Sequence, residues 1–108
     1  MPGKYKLTYF DVRGLGESIR YLLLLNEEDF EDNRITFEDW PKFKPSTPFG
    51  RLPILEIDGN VFTQSSAIYR YLGKKANLAG NNDIENLHID IISDVMVDLR
   101  AALVQAVW

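Results

Sequence analysis

The amino-acid sequence predicts an α/β domain of order β-α-β-loop-β-β-α followed by one long helix. Three observations carry this reading. Short runs rich in aliphatic and aromatic β-formers flank segments with helical spacing of apolar residues. Residues 40–50 hold three prolines and end on Gly50, which interrupts the regular elements in mid-chain. Residues 83–108 contain neither Gly nor Pro, so nothing breaks a helix of about seven turns.

The first run, residues 5–10 (YKLTYF), alternates and is rich in aromatic residues, as a strand requires. Asp11-Val12-Arg13-Gly14 reads as a turn. Residues 17–25 (ESIRYLLLL) place Ile19, Leu22 and Leu23 at helical spacing. Residues 30–37 supply a second strand with an acidic start. The proline-rich segment 40–50 excludes a long helix or central strand and predicts short turns. Residues 52–57 form the third strand, Asp58-Gly59 a hairpin turn and residues 60–62 the fourth strand. Gln64-Ser65-Ser66 opens a helix through Leu72, with Gly73 and Lys74-Lys75 marking its end. Asn82 with Glu85 reads as a capping box for the final helix.

Two strands bracketing a helix form a parallel pair, and the last two form a hairpin. That order is a thioredoxin-like arrangement. The expected organisation is an α/β domain over residues 1–78, a linker at 79–82 and a helix at 83–108. The last helix carries Val95, Leu99, Ala102, Leu103, Ala106 and Val107 on a broad apolar face, which needs a packing partner. Either further helices of a longer chain or a second subunit would cover it. The expectation is a truncated all-α domain.

Composition excludes several function classes. The chain has 108 residues, 12 basic and 16 acidic side chains, and a formal net charge of −4. An acidic balance disfavours nucleic acid held through phosphates. With no cysteine and one histidine, His88, there is no disulfide framework, cysteine nucleophile or multi-histidine metal site. No run reaches the length of a membrane span. Met1-Pro2-Gly3-Lys4 lacks the apolar stretch of a signal peptide. The expectation is a cytoplasmic protein.

Several positions could carry chemistry, each with a plainer alternative. Pro53, between a loop and a strand, suits a cis bond or an ordinary edge proline. Gln64, Ser65 and Ser66 lie where a helix N-terminus favours an anion, though a serine could simply cap the helix. Tyr9 can donate its hydroxyl to an anion or fill the sheet face with Tyr5 and Leu7. Trp40 and Lys44 are donors without acceptors, or a packing anchor and a solvated cation. Asp90, Asp94 and Asp98 line one helix stripe, where like charges repel unless a cation, basic surface or amine faces them; a solvated acidic face is the alternative.

Taken together, Tyr5-Lys6-Leu7-Thr8-Tyr9-Phe10, Asp39-Trp40-Pro41, residues 48–56 (PFGRLPILE), Asp58-Gly59, Gln64-Ser65 and Arg70-Tyr71-Leu72 resemble a glutathione transferase. The likeness is to the sigma type, which includes the haematopoietic prostaglandin D synthase, and it runs over essentially the whole chain. The resemblance implies a thioredoxin-like glutathione-binding domain and the first helix of an all-α domain. It implies that Tyr9 donates to the glutathione sulfur and favours the thiolate. The glutathione-binding set it implies is Tyr9, Trp40, Lys44, Arg51, Leu52, Pro53, Gln64 and Ser65, with Asp98 contributed by the partner subunit of a homodimer. Leu52 would pair its backbone with the cysteinyl unit, Gln64 and Ser65 would hold the γ-glutamyl end, and Trp40 and Lys44 the glycyl carboxylate. Arg70 and Lys74 would face the acidic stripe across the dimer.

The implied activity is attack of glutathione thiolate on hydrophobic electrophiles, with glutathione as cosubstrate and no metal. Leu15 stands where the synthase carries an arginine, and Val97 interrupts the acidic cluster that binds magnesium there. The alternatives are a glutathione-dependent prostaglandin D isomerase and a non-catalytic structural module.

Overall fold

A computed structural model of the chain describes residues 4–107. The elements are β1 (Tyr5–Phe10), α1 (Gly14–Leu25), β2 (Phe30–Ile35), α2 (Trp40–Phe43), β3 (Ile54–Ile57), β4 (Asn60–Thr63), α3 (Ser65–Lys75) and α4 (Asp83–Val107), with one 3-10 turn at Lys44–Ser46. The chain divides between Asn77 and Leu78 into an α/β unit and a helical unit.

The four strands form one mixed sheet in the order β2-β1-β3-β4. β1 and β2 run parallel, joined by α1, while β3 is antiparallel to both β1 and β4. Alternation along β1 puts Tyr5, Leu7 and Tyr9 on one face. Leu55 pairs with Leu7 and so shares that face. Ile19 and Leu23 from α1, and Ile68 and Leu72 from α3, complete a core with Tyr5, Leu7 and Leu55. The opposite phase of β1 contributes Thr8 and Phe10; Phe10 stacks on Phe37 with ring centroids 4.8 Å apart.

Several boundaries differ from those expected. α1 begins at Gly14 rather than Glu17, because the Glu17 amide already donates to the Arg13 carbonyl at 2.8 Å. β2 stops at Ile35 rather than Phe37, because the Thr36 carbonyl accepts from the amides of Asp39 and Trp40 and turns the chain. The proline-rich segment holds α2 and the 3-10 turn, with Pro41 and Pro45 in first-turn positions where a missing amide hydrogen costs nothing. β3 starts at Ile54, the first residue paired with β1. β4 extends one residue further, to Thr63. α3 runs through Gly73 to Lys75. The hairpin turn is as expected, with positive φ at both Asp58 and Gly59.

Two polar clusters join the elements of the α/β unit. Arg20 is 5% exposed although charged. Its guanidinium donates to Asp32 at 3.1 Å, Glu17 at 2.8 Å and the Val12 carbonyl at 3.0 Å, with a longer bond to the Phe10 carbonyl. At the other end of α1, the Asn26 amide donates to the carbonyls of Leu22 and Leu72 and so caps two helices at once. Lys75 donates to the Tyr5 hydroxyl at 3.0 Å. That bond raises the Lys75 pKa above its ordinary 10.5.

In the helical unit, the Asn82 side chain accepts from the Glu85 amide at 2.9 Å. The expected reciprocal bond is displaced by one residue: the Glu85 carboxylate accepts from the Asn81 amide at 2.9 Å. α4 has 25 residues, and none whose exposure is described is buried. Ile92, Val95, Leu99 and Leu103 are all at least half exposed. Among the described residues, no helix is long and apolar enough to cross a membrane.

Removing Arg20 takes a partner from Glu17, from the carbonyls of Phe10 and Val12, and from Asp32, which keeps Arg34 at 2.9 Å. Arg20→Ala is expected to lower stability by about 2–4 kcal/mol, short of the loss at a fully buried pair because both carboxylates reach solvent. Urea unfolding at neutral pH measures this, and a loss under about 1 kcal/mol would show the cluster to be ornamental. Lys75 binds its proton more tightly in the folded state. Its contribution is therefore complete below pH 10.5 and fades as pH rises through the folded value. The urea midpoint of the parent should fall more steeply on that alkaline limb than the midpoint of Lys75→Met.

Candidate functional site

The sheet register brings distant residues to one end of the domain. Thr8 pairs with Ile54, and Ile54 pairs with Thr63. The residues just beyond these pairs are Tyr9, Pro53 and Gln64, so the end of β1, the start of β3 and the start of α3 meet there. The Leu52–Pro53 peptide bond is cis; Pro53 is buried and Leu52 half-buried.

Tyr9 is 6% exposed, so it fills the sheet face as well as reaching this end. Its hydroxyl oxygen accepts from the Leu15 amide at 3.0 Å. Leu15 is the second residue of α1, and amides in the first turn of a helix have no carbonyl partner within it. No side chain of the Arg13 N-cap fills that role. The Tyr9 oxygen does so from the neighbouring strand. With that lone pair engaged, the hydroxyl hydrogen remains for an acceptor, and the incoming bond polarises O–H.

This approach needs glycine on both sides of Leu15. A Cβ on Gly14 would stand 2.3 Å from the Tyr9 hydroxyl oxygen, and one on Gly16 would stand 2.5 Å from the ring. Gly14 also has φ of +40°. Arg20 lies 6.0 Å from the centroid of the same ring and, through Phe10 and Val12, holds the turn that precedes Gly14. Tyr69 of α3 donates its hydroxyl to the Leu15 carbonyl. Gly14, Gly16, Arg20 and Tyr69 were not singled out by sequence as site residues; the paired glycines at a strand-to-helix turn were the available signal.

Gln64 is the N-cap of α3, with φ of 73° and ψ of 101°. Such a backbone costs a non-glycine residue of order 1–3 kcal/mol and concentrates at binding sites. The alternative of serine capping is not what is seen: Ser65 is already the first helical residue, and no side chain caps this N-terminus. Trp40 packs edge-on against Phe10, with centroids 5.4 Å apart. Because Phe10 follows Tyr9, this contact carries α2 to the same end of the sheet. Lys44 is exposed, with its aliphatic stem near Gly50, and Arg51 is exposed beside the cis bond. Asp98 stands exposed on α4, in the helical unit.

No group of three His, Cys, Asp or Glu side chains suited to a metal occurs among the described residues. An apolar depression of about 310 Å³ lies between β3, β4 and α3, lined in part by Leu55, Phe62, Ala67 and Tyr71. None of the expected glutathione residues lines it.

Comparison with known proteins agrees with this architecture. Residues 5–74 match the family model for the glutathione S-transferase N-terminal domain. Over 103 residues the chain is 54% identical to glutathione S-transferase 1 of Ascaris suum, covering 95% of this chain and 50% of that protein. It is 50% identical over 101 residues to the human hematopoietic prostaglandin D synthase, covering 94% and 50% respectively. The structure of prostaglandin synthase D of Nilaparvata lugens superposes with a TM-score of 0.92 at 52% identity, covering 94% of this chain and 51% of that one. The chain spans about half the length of the relatives it matches. A family model matched over residues 5–74 and relatives about half identical over most of the chain leave one conclusion: this chain belongs to the glutathione S-transferase family, through its N-terminal domain.

Proposed function

We propose that the α/β unit binds glutathione and activates its thiol for attack on hydrophobic electrophiles. The observation that carries this is the buried Tyr9 hydroxyl, engaged by the Leu15 amide at the end of the sheet where Pro53 and the α3 N-terminus meet. A free thiol has a pKa near ~8.5 and is mostly protonated at neutral pH. A hydroxyl donated to sulfur stabilises the thiolate, and the thiolate is the nucleophile. The sulfur pair forms the new C–S bond, while the electrophile's bonding pair leaves with its leaving group or takes up a proton.

The remaining roles follow the chemistry of each group. The Leu52 backbone, before the cis peptide bond to Pro53, would offer its amide and carbonyl to the cysteinyl unit. Gln64, Ser65 and the uncapped α3 amides suit the γ-glutamyl carboxylate. Trp40, Lys44 and Arg51 supply donors for the glycyl end. Asp98 would meet the γ-glutamyl amine from the partner of a homodimer, with Arg70 and Lys74 opposite the acidic stripe. In this reading residues 1–78 are the glutathione domain, 79–82 the linker and 83–108 the first helix of an all-α domain. The enzyme is of sigma type and cytoplasmic, with no metal required.

A second reading, glutathione-dependent isomerisation of a prostaglandin endoperoxide, is favoured by the names of two of the relatives. It uses the same thiolate and differs in the electrophile.

Ultraviolet titration of bound glutathione tests the proposal. The parent should depress the thiol pKa, and Tyr9→Phe should abolish the depression. Thiolate formation at neutral pH should drop roughly tenfold to a hundredfold, the equivalent of one hydrogen bond to a charged group. Equal depression by parent and variant would remove Tyr9 from the mechanism.

A further inference from the structure

We infer that Tyr69 is a positioning residue for Tyr9, acting through Leu15. Two hydrogen bonds meet at Leu15. Its amide donates to the Tyr9 hydroxyl oxygen at 3.0 Å, and its carbonyl accepts from the Tyr69 hydroxyl. Tyr69 lies on α3, 54 positions away in sequence, and its ring packs against the hydrophobic core. α3 thus holds the first turn of α1 at the carbonyl of the same residue whose amide engages Tyr9.

The geometry makes this contact consequential. Gly14 and Gly16 let this turn pack directly on the Tyr9 ring, where a Cβ would stand 2.3 Å from the hydroxyl oxygen or 2.5 Å from the ring. The glycines flanking Leu15 offer no side chains of their own to hold the turn, so its placement rests on contacts made by other residues. Among the side-chain anchors on this turn are Arg20 at Val12, upstream of Gly14, and Tyr69 at Leu15 itself. Without the Tyr69 hydroxyl, the Leu15 amide gains freedom to swing away from the Tyr9 oxygen. The same helix, α3, begins at Gln64 and Ser65. The segment proposed to hold the γ-glutamyl end is therefore mechanically tied to the group proposed to activate the sulfur.

The catalytic side of this inference rests on the glutathione reading above; the structural side does not. Tyr69→Phe keeps the ring and removes only the hydroxyl, so the test is made on the full chain with two readouts. The first is amide hydrogen exchange followed by NMR, comparing Leu15 with the core amide of Leu23. Tyr69→Phe should speed exchange at Leu15 roughly tenfold more than at Leu23, and Tyr9→Phe should do the same. Equal changes at both amides, or none at Leu15, would overturn the inference.

The second readout is the thiolate fraction of saturating glutathione at fixed pH, in a double-mutant cycle. Tyr69→Phe should lower it roughly three- to tenfold, the factor of one neutral hydrogen bond. It should have no further effect in the Tyr9→Phe background. An equal loss in both backgrounds would show that Tyr69 does not act through Tyr9. A parent chain that forms no thiolate would sink the glutathione reading, and the exchange rates would then decide the role of Tyr69 alone.

Discussion

The α/β unit depends on one buried cation. Arg20 sits on the inward side of α1 beside Ile19 and Leu23, where a charge survives only if fully paired. Its partners come from α1, from β2 and from the turn after β1. The parallel pair β1–β2 is thereby joined by a side chain as well as by the sheet ladder. Because Arg20 grips the turn through Val12, the register between β1 and the start of α1 is set before any ligand is considered.

What that register sets is the meeting of a strand with a helix end. An α-helix begins with amides that lack partners, and here one of them finds a tyrosine oxygen on the adjoining strand. The requirement propagates outward. The ring must come close, so two flanking positions are glycine. Three positive-φ residues belong to the segments that lead into this end of the sheet, with φ of +40° at Gly14, +65° at Gly50 and 73° at Gln64, while Glu27, Asn77 and the Asp58–Gly59 hairpin carry others elsewhere. Such backbone persists where surrounding structure determines it, and the core of Leu7, Ile19, Leu55 and Ile68 provides that determination.

Much of this was legible in the sequence, for reasons specific to each segment. β1 announced itself because Tyr5, Leu7 and Tyr9 alternate with Lys6 and Thr8. Asp58-Gly59 declared its hairpin because both positions tolerate positive φ. Pro53 marked a break that element order made interpretable. The start of α1 was misplaced because Gly14 and Gly16 oppose helix by propensity; only contact with Tyr9 explains them. Arg20 was hidden because its partner Asp32 is 12 positions away, with no local pattern to link them. Tyr69 looked like any core aromatic, since a hydroxyl's partner on another element leaves no trace in periodicity. The capping box at Asn82 and Glu85 was read correctly as a helix start, although the carboxylate reaches Asn81.

The two edges of the sheet differ in chemistry. β2 carries Glu31, Asp32 and Arg34; Glu31 pairs with Lys6, Asp32 with Arg20 and Arg34, and Arg34 also with Asp11. β4 carries Val61 and Phe62, exposed by 48% and 47%, and no charged residue. Charge on an edge strand repels an added backbone, while a short apolar edge accepts one. Strand addition from a neighbouring molecule would therefore be polarised, closed at β2 and open at β4. The side that would accept backbone pairing is thus decided by composition, even though β2 offers six residues to an incoming strand and β4 only four.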